Sequence, residues 1–173
     1  MTTINGLPAH VLIIHLVVVG VPLAALLTVL SGVWPAARRR LGVITPIVAF
    51  IALVSVPVAS DAGEWLRDRV FATDLIRVHT QLGGELTPWA VGLFVAALLP
   101  WVLPRLARRF DREKTWLAPT AWIGMGVLAV GFAVVSVIQV VRIGDSGAKA
   151  AWSHQVCAQP YVNGSCPNNQ FLS

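Results

Sequence analysis

The run Leu16-Val-Val-Val-Gly-Val-Pro-Leu-Ala-Ala-Leu-Leu-Thr-Val-Leu30 decides the class of this protein. With Pro8-Ala9-His10 and His15 before it and Trp34-Pro35 and Arg38-Arg39-Arg40 after it, it is the middle of an apolar stretch over 10–33. A helix needs about 20 mostly apolar residues to cross the hydrocarbon core of a bilayer. Three more stretches meet that requirement: 41–60, 86–104 and 117–142. None shows the strict apolar–polar alternation of a barrel strand. The expected fold is therefore all-α, a four-helix transmembrane bundle.

Composition agrees. Of 173 residues, 56% are hydrophobic and 12% charged, against about 25% charged in a soluble domain. Mean hydropathy is +0.73. The length suits one compact membrane domain over 1–150, followed by a tail over 151–173 that is polar, rich in Pro, Gly and Asn, and expected to be irregular.

The net charge of +5 is informative through its location. Arg38-Arg39-Arg40 and the group Arg105, Arg108, Arg109, Arg112 and Lys114 hold eight of the thirteen Lys and Arg residues, in the two short gaps after spans 1 and 3. Positive charge in short loops marks the cytoplasmic side. The expectation is a multi-pass protein of the cell membrane with both termini and the 61–85 segment extracytoplasmic. A nucleic-acid surface is excluded as the use of these charges. The first run is too long for a cleaved signal, and its positive charges follow it, so it reads as a retained span.

Pro8 suits a first helical turn, and Trp34-Pro35 closes span 1. Pro46, Pro57, Pro100 and Pro104 predict kinks or breaks that neighbouring helices must satisfy. Trp34, Trp89, Trp101, Trp116 and Trp122 lie near span ends, where indoles prefer to sit. Gly124, Gly126 and Gly131 leave a shallow face on span 4 for helix packing. Mixed charges and helical apolar spacing over 61–85 predict that spans 2 and 3 continue past the bilayer as helices joined by a short turn.

Ionisable residues then gather at one depth on the outer side. His10 and His15 come from span 1, Asp61 and Glu64 from span 2, His79 from the start of span 3, and Arg142 and Asp145 from the end of span 4. His10 and His15 are about 7.5 Å apart along the axis and about 140° around it, so they do not chelate one ion from a single face. His10, in the first turn, reads first as solvated. His15, nearer the hydrocarbon, is expected to face the bundle interior. Two chemistries use such a site. Haem b needs one imidazole from each of two helices, which His15 and His79 offer. Alternatively, His10, His15, His79 and Asp61 form an imidazole and carboxylate set for zinc or copper, with Asp145 in reserve. No H-E-x-x-H, C-x-x-C-H or phosphate loop is present, and nothing selects Ser60 or Ser146 as a nucleophile, so the sequence leaves open whether this is an enzyme. Cys157 and Cys166 in the tail are expected to form a disulfide in an oxidising compartment, contributing about 2–3 kcal/mol to tail order. A metal site of His154 with both thiols lacks a fourth ligand nearby.

Four segments carry a family resemblance: Leu7-Pro8-Ala9-His10 leading to His15; Ser60-Asp61-Ala62-Gly63-Glu64-Trp65; Arg77-Val78-His79-Thr80; and Arg142-Ile143-Gly144-Asp145-Ser146-Gly147-Ala148. Together they resemble the DUF2231 membrane proteins, in particular the actinobacterial branch, over nearly all the chain except the Cys-bearing tail. The resemblance implies four membrane helices and a histidine pattern at His10, His15 and His79. It also implies a glycine-rich close after the last helix at Gly144 and Gly147. Some relatives carry histidine where this chain has Asp145, which counts against a ligand role there. Others are joined to Rieske iron–sulfur domains, which implies a redox setting and favours haem. The expectation is thus a haem- or metal-binding electron-transfer protein in the bilayer, working with separate membrane or redox subunits. The alternative is a non-catalytic accessory subunit. A transporter is disfavoured because the ionisable residues stop at one face.

Overall fold

The computed structural model describes residues 3–4, 7–70, 73–109 and 119–153. Cys157, Cys166 and His154 lie outside the described residues, as does Trp116. Thr3–Ile4 and Leu7–Pro8 pair as a two-residue antiparallel ladder. The rest is helical: α1 Ala9–Val33, α2 Pro35–Leu41, α3 Ile44–Arg67, α4 Asp74–Arg109 and α5 Pro119–Trp152. Four of these helices, all but α2, are long and apolar enough to cross a membrane. Helix α1 packs on α3 and α5, and α4 on the same two, so α1 and α4 face each other across the bundle.

The distribution of side chains is that of a protein solvated by lipid. The interior is built from small residues: Ala24, Ala25, Ala49, Ala52, Ala97 and Ala133 are all buried, around Val21 and Leu93. Large aliphatic side chains point outward, with Val127 at 67%, Ile123 at 66% and Val19 at 64% exposure. A soluble core inverts this order, whereas helices in a bilayer gain from close backbone approach. One such approach joins α1 to α5, where a Cβ on Gly32 would come 2.9 Å from the Ala129 Cβ. Several buried hydroxyls are bonded within the bundle: Thr28 donates to Ala24 O at 2.7 Å, Ser55 to Ala52 O at 2.7 Å, and Ser31 and Thr45 bond each other at 2.9 Å. The protein is an integral membrane protein on these grounds.

Three features refine or depart from the sequence reading. First, of the kinks or breaks expected at proline, no break occurs: the helices run unbroken through Pro22, Pro57, Pro88, Pro100 and Pro104, while Pro46 falls in the first turn of α3, where its missing N–H leaves no carbonyl orphaned. Second, α2 is an unforeseen element. Pro35 starts it, and Gly42 ends it at φ +49°, a left-handed conformation that favours glycine. Its Arg38 caps α1, donating from Nε to Ser31 O at 2.8 Å and from Nη2 to Gly32 O at 3.0 Å. A cation there complements the negative end of the α1 dipole. Third, Gly144 and Gly147 do not close α5. The helix passes through both and ends at Trp152.

Candidate functional site

The end of the bundle opposite the arginines brings two imidazoles together, from helices that lie diagonally across from one another. His10, in the first turn of α1, and His79, in the second turn of α4, have ring centroids 6.4 Å apart and planes at 82°. Each ring is seated on a neighbouring helix. The His10 Nδ1–H donates to Ala59 O on α3 at 2.9 Å. The His79 Nδ1–H is shared between Ile143 O and Ser146 Oγ on α5, each at 3.1 Å, and Ser146 itself donates to Ile143 O at 2.9 Å. All four long helices therefore contribute.

The seating depends on two glycines. A Cβ on Gly63 would stand 3.1 Å from both Cε1 and Nδ1 of His10, and one on Gly147 would stand 2.9 Å from Cε1 of His79. Any side chain at either position displaces the ring or the helix. Gly83, Gly84 and Gly144, close by in sequence, have nothing within 4 Å.

Tautomers follow from the partners. A backbone carbonyl only accepts, so both Nδ1 atoms carry hydrogen, and in the neutral ring each Nε2 keeps its lone pair. Nδ1–H on a carbonyl with Nε2 free is the arrangement that orients a ligating histidine. Both rings are half-buried, which holds them in one orientation.

Not every predicted residue joins them. His15 is exposed, and its Nδ1–H donates to Val11 O at 2.7 Å, within its own helix. The expectation that it faces the interior is overturned: about 140° of helical rotation separates it from His10, and the partner it needs is one turn away on α1. Asp61 and Glu64 are exposed. Asp145 pairs with Lys149 at 2.9 Å along the surface of α5. Among the described residues, no group of three or more His, Cys, Asp or Glu side chains is placed to hold a metal ion, so His10, His15, Asp61 and His79 do not form one ligand set. Arg142 belongs to a separate polar chain: it donates to Gln139 Oε1 at 3.3 Å, and Gln139 Nε2 donates to Glu85 Oε2 on α4 at 3.4 Å.

The residues that sequence reasoning missed are those that seat the rings: Gly63, Gly147, Ser146 and the carbonyls of Ala59 and Ile143. Both glycines stand inside segments already singled out, and a glycine between polar helical residues was the available signal. Comparison with protein-family models, with curated proteins and with solved structures gives no match for this chain.

Proposed function

We propose that the His10–His79 pair is a two-imidazole site for one transition-metal ion in an electron-transfer protein of the cell membrane. The observation that carries this reading is the paired seating: two rings from diagonal helices, each fixed through Nδ1 and neither bonded through Nε2 among the described residues. An imidazole held by an ion through a bond of about 2 Å would have its ring centre about 3 Å from that ion, so two rings sharing one ion would lie within roughly 6 Å of each other. The 6.4 Å between centroids fits that span. A single ion suits the site better than the porphyrin expected from His15 and His79, because His15 faces outward and the glycine contacts press both rings against helix backbone. Copper, the divalent first-row ion held most tightly by nitrogen donors, supplies one-electron chemistry when bound. The chain's own part is to orient two neutral imidazoles and to leave further positions open to water or a partner. Retention of the positive loops in the cytoplasm would put this site on the outer side. Membership of the DUF2231 family belongs to the same proposal.

Metal analysis of the detergent-purified full-length protein, loaded with copper(II) and freed of excess, is expected to give about one ion per chain, with His15→Ala retaining it. A wild-type protein that holds no transition metal overturns the reading, and a Soret band would assign haem instead.

The accessory-subunit reading has one observation in its favour. Gly126 packs on Gly32 inside the bundle, but Gly124 and Gly131, seven residues apart on α5, have nothing within 4 Å. That open face accepts a close helix from another chain. Gly124→Ile with Gly131→Ile is expected to leave folding intact while abolishing cross-linking to a membrane partner; unchanged cross-linking would count against this reading.

A further inference from the structure

The arginine end carries its own site, independent of the histidine pair. A cleft of about 230 Å³ opens where α1 ends and α3 begins, against α4, and is lined by Ser31, Arg38, Arg39, Thr45, Trp101 and Arg105 among others. Arg38, Arg39 and Arg105 line it, and among the described residues none of the lining is acidic. The described ion pairs, Arg67–Asp68 and Asp145–Lys149, both lie on segments at the opposite end.

The cations are pre-arranged. Arg38 lies over the Trp122 ring at 3.6 Å and Arg105 over the Trp101 ring at 4.2 Å, which holds each planar group in place. Arg38 spends two of its five N–H donors on the α1 carbonyls and keeps three. Burial, and then the charge of Arg39, lower Arg38 from its ordinary value. The Ser31–Thr45 pair uses one hydroxyl hydrogen internally, leaving the other without a partner among the described bonds. The Trp101 Nε1–H on the same wall is buried without an acceptor among the described residues.

We infer that this cleft binds a phosphate group, supplied by the headgroup of an anionic phospholipid. Guanidinium forks match phosphate oxygens in pairs, and hydroxyl donors complete such a shell. The volume equals about seven or eight water molecules at about 30 Å³ each, room for a phosphoryl group and part of its glycerol. Its position at the ends of the spans is the depth at which headgroups lie, and basic pockets between membrane helices bind such lipids. A free phosphate ion shares the chemistry, so the test separates the two sources.

The full-length protein in a neutral maltoside detergent would be titrated with phosphatidylglycerol, phosphatidylcholine or inorganic phosphate, following retained lipid by native mass spectrometry and the thermal midpoint. Phosphatidylglycerol is expected to be retained and to raise the midpoint, and phosphatidylcholine to do neither. Arg39→Gln with Arg105→Gln is expected to weaken that binding about 25-fold, about fivefold for each cation, while Arg67→Gln at the other end leaves it unchanged. Those two substitutions leave the α1 cap made by Arg38 in place, so a folded variant is available. Equal retention of phosphatidylcholine, or binding indifferent to the two arginines, overturns the inference. An effect of phosphate without one of phosphatidylglycerol keeps the anion site and overturns the lipid source.

Discussion

Replacing His79 by alanine is expected to abolish copper binding, and His10→Ala to do the same, because either change leaves a single imidazole. The sharper result concerns a residue that ligates nothing. Gly147→Val puts side-chain atoms where the His79 ring lies, 2.9 Å from a Cβ at that position. The ring must then leave Ile143 O and Ser146 Oγ, and the orientation they give it is lost. Loss of such an orienting arrangement costs about 10–100-fold in metal affinity. Gly144→Val, on the same helix with nothing within 4 Å, is the matched control and is expected to retain wild-type affinity. Isothermal titration with copper(II), alongside the helical circular dichroism signal, separates the two outcomes. Full affinity in Gly147→Val would mean that the seating of His79 is irrelevant to binding.

The second large effect is on stability. Gly92 on α4 lies under the Phe132 ring of α5, and a Cβ there would collide with the ring. Trp89, one turn earlier, is tilted against the same ring with centroids 6.3 Å apart, and the Trp89 carbonyl accepts from Ser136 Oγ at 3.4 Å. Gly92→Leu is therefore expected to pry α4 from α5 and destabilise the bundle by about 3 kcal/mol, the upper range for overpacking a close-packed core. Combining it with Phe132→Ala should return about half or more of that loss, since neighbours in contact are not additive. Unfolding in mixed micelles at increasing sodium dodecyl sulfate reads both values. An additive pair would place the strain elsewhere.

Much of the architecture was legible because lipid imposes a coarse rule. Spans of 24 to 36 residues for α1, α3, α4 and α5 follow from uninterrupted apolar runs. The continuation of α3 to Arg67 and the early start of α4 at Asp74 follow from helical spacing beyond them. What failed did so for local reasons. The family resemblance implied a glycine-rich close, yet Gly144 and Gly147 continue α5, because packing against α4 stabilises a helix whose propensity alone would not. Proline read as a kink or a break, and the packed bundle carries the helices through it without a break. The arginine clusters read as orientation signals only, while Arg38 is also a helix cap and one wall of a cleft.

By itself the sequence determined the solvent of this protein and the number of its long helices. These depend on composition and on distance along one chain, which a single helix repeat converts into position. Only the tertiary structure decided that His10, and not the deeper His15, meets His79. That choice turns on the rotation of α1 relative to α4, and on two glycines of α3 and α5 that let imidazoles reach backbone carbonyls. Such contacts form between helices with no fixed spacing in sequence, so the partner of a ring is set by packing alone.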